Sequence, residues 1–174
     1  VVTGGVSETE AAEVAETTGV DFMPLNADVS GISHEINRQR IGMYQRYWGG
    51  NMDEGWTRMM LEDFAFPYDT LMDAQILEGD LHERYDVIIL AEDSKMMMMG
   101  PGSGGAAGGY SRWLDPSSVP PEYRSGFGQE GVEALEEFVQ NGGTLMTFSQ
   151  AGELPIEEFR LPLHNVLEAP WAAE

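Results

Sequence analysis

The sequence contains no cysteine. This absence excludes disulfides, thiolate nucleophiles and cysteine-ligated zinc. The chain also lacks an apolar run long enough to span a membrane, a Walker loop and a strand-linked G-x-G-x-x-G motif. No basic segment followed by an apolar stretch opens it, so we predict no signal peptide here and expect Val1 to be a mature terminus or the edge of a fragment.

Basic residues are scarce, since nine stand against 30 acidic ones and only Lys95 among them is a lysine. The formal net charge of -21 should repel nucleic acid and anionic membrane surfaces, so we predict neither as a partner. The imbalance has two explanations, a merely acidic surface or adaptation to strong salt, and the shortage of lysine favours adaptation to salt. In both cases repulsion between carboxylates should lower stability at low ionic strength.

The residues that are present predict a globular protein, because 42% of the 174 residues are hydrophobic. We divide the chain into an N-terminal segment, residues 1–38, and a main domain, residues 39–174. Methionines, glycines and prolines dominate residues 95–121 of the main domain, which predicts a long flexible loop there.

The N-terminal segment should begin with an acidic helix over residues 6–18. Ser7 and Glu10 have the spacing of a capping box, and Gly19 should end the helix. A short strand is predicted over residues 20–24, followed by a turn-rich linker.

Strands and helices alternate through the main domain. The predicted strands cover 40–44, 68–71, 85–90 and 144–148, and the longer helices cover 52–64 and 131–141. This alternation predicts an α/β fold in three layers, with a mostly parallel sheet and helices on both faces in a flavodoxin-like arrangement. Trp56, Met59, Met60 and Phe64 recur at helical spacing and should turn one apolar stripe of the first helix toward the core.

The loop after the first strand is the first candidate ligand site. In open α/β sheets ligands bind at the carboxyl ends of the strands, where Arg46, Trp48 and Asn51 would form a pocket with Asp53 and Glu54 beside them. The simpler interpretation is structural, with Asn51 capping the helix that follows, and we favour it because caps are far commoner than sites.

Ser149 and Gln150 follow the last strand, where a nucleophile elbow would stand. The G-x-S-x-G pattern is incomplete, because Thr147 and Ala151 replace its glycines. A serine nucleophile also needs a base and an acid, and nothing in the setting of His164 marks it as that base. We therefore assign no catalytic residue and expect Ser149 to cap the next helix or to line a pocket floor.

Metal-binding patterns are absent from the sequence. None of the three histidines begins an H-x-x-E or H-E-x-x-H motif. The carboxylate pairs Glu92–Asp93 and Asp53–Glu54 could bind a hard cation but are better explained as a solvated acidic face. Asp93, Ser149 and Gln150 are also candidate ligand-binding residues, together with the loop after the first strand. We predict no metal and no cofactor for this chain.

From Arg40 onward the sequence resembles the C-terminal region of large bacterial zinc carboxypeptidase-family proteins. The residues that carry the resemblance are RIGMY at 40–44, NMDEGWTR at 51–58, LE at 61–62, FPY at 66–68, YDVIIL at 85–90, GVEALEEF at 131–138, GGTL at 142–145 and LPLHNVL at 161–167. In those proteins a glutamine-amidotransferase-like domain follows the peptidase domain.

The resemblance implies the fold of class I glutamine amidotransferases, which place a catalytic cysteine at the elbow. Here Ser149 stands at that position, so glutamine hydrolysis is not expected. The H-x-x-E motif of the peptidase is absent as well. The resemblance therefore implies a non-catalytic accessory domain, with the peptidase domain of the same protein and a peptide or glycan substrate as its partners, in a secreted or periplasmic parent. A free-standing small-molecule or carbohydrate-binding module stays open as the alternative.

Overall fold

A computed structural model of the chain describes residues 5–23, 37–47, 51–100, 120, 123 and 126–166. The chain divides into two compact units, residues 1–37 and 38–174. Three features singled out above lie outside the described residues: most of the linker before residue 37, Trp48, and all of the predicted loop between residues 101 and 121 except residue 120.

The first unit contains helix α1 (Glu8–Thr18). The predicted capping box is confirmed, because the Ser7 hydroxyl accepts from the Glu10 N–H and the Glu10 carboxylate accepts from the Ser7 N–H. Gly19 ends the helix at φ 69°, in the left-handed region that glycine adopts without strain. The predicted strand over residues 20–24 is wrong in its described part, since residues 20–23 are exposed and form no strand.

The second unit is an α/β domain. Its elements in chain order are β1 (Ile41–Tyr44), α2 (Met52–Asp63), β2 (Tyr68–Leu71), α3 (Asp73–Leu77), α4 (Leu81–Arg84), β3 (Val87–Leu90), α5 (Lys95–Met99), α6 (Gly128–Gln140), β4 (Thr144–Thr147), a 3₁₀ turn (Ser149–Gly152) and α7 (Glu153–Glu158). The four strands are parallel and lie in the order β2-β1-β3-β4. The predicted three-layer, flavodoxin-like α/β arrangement is confirmed.

The register follows from the hydrophobic pattern of the central strands. Ile41 pairs with Tyr68 on one side and with Val87 on the other, and Val87 pairs in turn with Thr144. The central strands β1 and β3 are apolar on both faces, as expected where helices cover a parallel sheet on both sides.

The main core lies on the face that α3, α4, α5 and α6 cover. Phe127, Leu135 and Phe138 bring the α6 region into this core, and each is at most 1% exposed. Leu135→Ala would truncate a fully buried side chain and should lower the free energy of unfolding by about 2–5 kcal/mol. The other face has a smaller core, with Met43 of β1 and Ile89 of β3 buried there and Leu61 of α2 packed against it.

The methionine run at 96–99 is helical, which corrects the prediction of a flexible loop for this part of residues 95–121. The Ser94 hydroxyl accepts from the Met97 N–H and caps α5. Met98 and Met99 are buried in the main core, because a short helix directs consecutive long apolar side chains into the space beside α6.

Helix α2 has the predicted extent but not the predicted orientation. The side chains of Trp56, Met59, Met60 and Phe64 are 63%, 43%, 57% and 71% exposed, so the expected core-facing stripe faces solvent. Glu54 and Leu61 face the sheet instead. The reason is a set of polar contacts around Glu54, described below.

Candidate functional site

The carboxyl edge of the sheet gathers the polar side chains that follow the strands. Arg46 follows β1, Asp73 follows β2, Asp93 follows β3 and Ser149 follows β4. In the order β2-β1-β3-β4 the connections leave β1 in one direction and β3 in the other. The crevice between the ends of β1 and β3 is therefore the topological switch point, the position at which open α/β sheets bind ligands.

Arg46 and Asp93 form an ion pair across this switch point. The Arg46 Nε lies 2.5 Å from the Asp93 Oδ2, and both side chains are only 9% exposed. The Asp93 Oδ1 accepts from the Ser94 N–H at 2.9 Å, so both carboxylate oxygens are used. The pair joins the segments that follow β1 and β3 and occupies the place where a ligand would enter.

Asn51 connects the same two segments and begins α2. Its Oδ1 accepts from the backbone N–H groups of Asp53 and Glu54 at 3.0 and 3.2 Å, and its Nδ2 donates to the Glu92 carbonyl at 2.8 Å. The capping role predicted for Asn51 is confirmed, and the link to Glu92 fixes the start of the helix against the end of β3. The Asp53 side chain is exposed.

Glu54 is buried beneath α2 at 6% exposure, where it binds Arg58. The Arg58 Nε donates to the Glu54 Oε1 at 2.6 Å, and the Arg58 Nη2 donates to the Gln45 Oε1 at 3.0 Å. The Arg58 guanidinium also lies 5.7 Å from the centre of the Tyr68 ring. Glu54 is thus part of the contact between α2 and the sheet.

Tyr44 and Asp73 form a second buried contact at this edge. The Tyr44 hydroxyl donates to the Asp73 Oδ1 at 2.6 Å, and the Asp73 Oδ2 accepts from the Gly126 N–H at 2.9 Å. Burial raises the pKa of the Tyr44 hydroxyl, and the Asp73 charge raises it further. Burial also raises the pKa of the Asp73 carboxyl, against the lowering effect of the Tyr44 and Gly126 hydrogen bonds. Sequence reasoning missed this pair, although both residues stand at strand ends.

A small cavity of about 20 Å³ opens between these groups. Its lining residues are Tyr44, Gln45, Arg46, Asn51, Glu54, Ala91 and Asp93. A polar cavity of this size suits one or two water molecules. The predicted ligand-binding residues Arg46, Asn51, Glu54 and Asp93 do come together, but they bind one another or neighbouring groups of the chain. The prediction of a solvated acidic face is wrong for Glu54 and Asp93, which are 6% and 8% exposed because each carboxylate pairs with an arginine.

Ser149 lies apart from this cavity on the exposed end of β4. Its φ of 52° is unusual for a residue with a side chain, and such positive values occur at nucleophile elbows. The N-cap residues of the 3₁₀ turn and of α7 are Phe148 and Gly152, and neither element has a side-chain cap, so the capping role predicted for Ser149 is wrong. Gln150 and His164 are both exposed.

Within the described ranges, no group of three histidine or acidic side chains is arranged to hold a metal ion. None of the described helices has the length and apolar content to cross a bilayer. Comparison with protein-family models, with curated proteins and with solved structures finds no match for this chain.

Proposed function

We propose that this chain is a non-catalytic accessory domain, amidotransferase-like in fold, of a zinc carboxypeptidase-like protein. It packs on the peptidase domain of the same protein or assists that domain in holding a peptide or glycan substrate. Two observations support this proposal. The sequence resembles the C-terminal region of such proteins from Arg40 onward, and the sheet has the parallel, flavodoxin-like order.

The observation that carries the proposal is the Arg46–Asp93 pair. An α/β enzyme of this order uses the switch point for its substrate. Here two oppositely charged, nearly buried side chains occupy it, and about 20 Å³ of space is left beside them. A ligand that entered this crevice would have to displace a nearly buried ion pair, whose Asp93 carboxylate is also held by the Ser94 N–H. A site closed in this way supports a structural role.

The elbow position supports the same conclusion. Amidotransferase chemistry uses a cysteine thiolate, and the sequence has no cysteine. A serine at this position needs a base within hydrogen-bond reach. Ser149 and the downstream His164 are both exposed, and nothing in their surroundings marks them as a catalytic pair. The alternative is a small-molecule or carbohydrate-binding module built on Arg46, Trp48 and Asn51. To bind a ligand, Arg46 would have to leave Asp93, and Asn51 would have to leave the Glu92 carbonyl.

The proposal is tested on the isolated chain and on the longer protein that would contain it. The isolated chain should release no C-terminal residue from peptides, hydrolyse no glutamine and take up no fluorophosphonate label at Ser149. The longer protein should contain an H-x-x-E peptidase domain, and deletion of residues 39–174 should lower its stability or its peptidase activity. Labelling of Ser149, or a reading frame without a peptidase domain, would overturn the proposal.

A further inference from the structure

Helix α2 carries an exposed apolar surface that the fold does not use. We call it the α2 face and define it by Met52, Trp56, Met59 and Met60, which are 82%, 63%, 43% and 57% exposed. These positions follow one another at spacings of four, three and one, so they lie on one side of the helix. Among the described elements of the second unit none covers that side, which forms a continuous exposed apolar stripe.

The opposite side of α2 is polar where it meets the sheet. The Glu54–Arg58 pair lies there with Leu61, and Glu54 is among the three buried polar side chains of the described chain. A surface helix normally has the reverse arrangement, with its apolar stripe toward the core. Tryptophan and methionine are also the residue types that are enriched where protein interfaces are buried. This inverted arrangement points to a protein partner on the outer side.

The charges around the α2 face restrict what that partner can be. Asp53 and Asp63 are exposed beside the apolar residues, at the two ends of the helix. The whole chain has a formal net charge of -21. A second copy would bring the same acidic residues and the same net charge against this rim, and like charges brought together in an interface cost several kcal/mol. A surface with arginine or lysine at its rim instead complements the acidic ends.

We propose that the α2 face docks, as a helix in a groove, into an apolar groove rimmed by basic side chains on the peptidase domain of the same longer protein. This inference rests on the proposed function, because it assumes that the chain packs on such a domain. It adds which surface makes the contact and what chemistry the partner presents.

Hydroxyl-radical footprinting tests the inference, because methionine and tryptophan are among the side chains that hydroxyl radicals oxidise most readily. The isolated chain and the intact longer protein are oxidised under the same conditions. We expect Met52, Trp56, Met59 and Met60 to react readily in the isolated chain and about 5-fold or more slowly in the intact protein, as for residues excluded from solvent at an interface centre. Met97 of α5 is the internal control, since it is partly exposed and its helix packs beside α6 on the other face of the sheet, and its reactivity should not change.

The charge contribution is tested in the intact protein with a double variant, Asp53→Asn with Asp63→Asn. Loss of the acidic ends should weaken docking and restore part of the reactivity of Trp56.

The outcomes separate this inference from the proposed function. Protection elsewhere on the domain, with the α2 face still reactive, would overturn the docking surface and leave the packing role standing. No protection anywhere in the intact protein would overturn both. Protection in the isolated chain that grows with its concentration would identify a second copy as the partner and would overturn the assignment to a basic groove. Protection that the double variant leaves unchanged would overturn the basic rim.

Discussion

Replacement of Asp93 by asparagine is the most direct perturbation of the closed switch point. Asparagine keeps the shape of the side chain and can still accept the Ser94 N–H at the position of the Oδ1. It removes the negative charge that lies 2.5 Å from the Arg46 Nε. The Arg46 guanidinium, 9% exposed, is then left with little solvent and no carboxylate at position 93.

The magnitude follows from the burial of the pair. Two unit charges about 4 Å apart attract by about 4 kcal/mol at an effective dielectric constant of about 20. Removal of one partner from a buried pair leaves the other desolvated, with measured losses of about 3–5 kcal/mol. Because the asparagine keeps a hydrogen-bond acceptor, we expect Asp93→Asn to lower the free energy of unfolding by about 3 kcal/mol, a large part of the roughly 5–15 kcal/mol that is typical of a domain.

Urea unfolding followed by far-ultraviolet circular dichroism measures this loss. The matched control is Asp86→Asn, which breaks the Arg40–Asp86 pair at the opposite edge of the sheet, where the side chains are 48% and 35% exposed. Solvent screens that pair, so its loss should be much smaller than that of Asp93→Asn. Equal losses for the two variants, or a loss below about 1 kcal/mol for Asp93→Asn, would refute the reasoning that the switch point is held closed by a buried charge pair.

Four further outcomes are expected. The melting temperature should rise from low to molar salt, because screening reduces the repulsion behind the net charge of -21, and a flat curve would remove the interpretation of salt adaptation. The Arg40 hydrogen bonds lower the pKa of Asp86 from 3.8 to about 2. The stabilisation by the Asp86 carboxylate is therefore complete above pH 3.8 and is lost as the pH falls toward 2. Urea titrations in acid should show this pH-dependent loss for the unsubstituted chain and not for Asp86→Asn. Gly126→Ala should cost well over 1 kcal/mol, since its Cβ would stand 2.4 Å from the Gly100 Cα, whereas the control Gly79→Ala, also at positive φ but with open space, should cost about 1 kcal/mol. Ser149→Gly should raise the free energy of unfolding by up to about 1 kcal/mol by relieving the φ of 52°, while Ser149→Ala should change it little, and the reverse order in thermal melts would contradict this.

The fold was predictable because its signals are local and agree with one another. The apolar runs that became β1 and β3 have no polar residue to expose, which indicates strands covered on both faces. The cap at Asn51 was also readable, since a short polar side chain precedes an acidic first turn. Short alternating elements in this order leave few topologies other than a parallel sheet.

The candidate site was predictable only in its position. Strand ends identify Arg46 and Asp93 as neighbours of the switch point, but the two are 47 residues apart, and the sequence cannot say that they bind each other. The buried contact between Tyr44 and Asp73 was missed for the same reason, since Tyr44 ends β1 and Asp73 begins α3, 29 residues later. Pairing of this kind depends on the register of the sheet, which the hydrophobic pattern sets only after the strands have been placed.

The orientation of α2 shows a conflict that local pattern cannot resolve. The sequence pattern of a hydrophobic stripe is identical whether the stripe faces the core or a partner. Burial of Trp56 alone against the sheet would stabilise the domain by about 1.5–3 kcal/mol. Polar contacts at the start and in the middle of α2 oppose that rotation: Asn51 donates to the Glu92 carbonyl, and Arg58 donates to the Gln45 side chain. Turning the stripe inward would expose the Glu54–Arg58 pair and break both contacts. The isolated domain therefore keeps its apolar stripe outside, and docking against a second surface is the arrangement in which the stripe and the polar contacts are both satisfied.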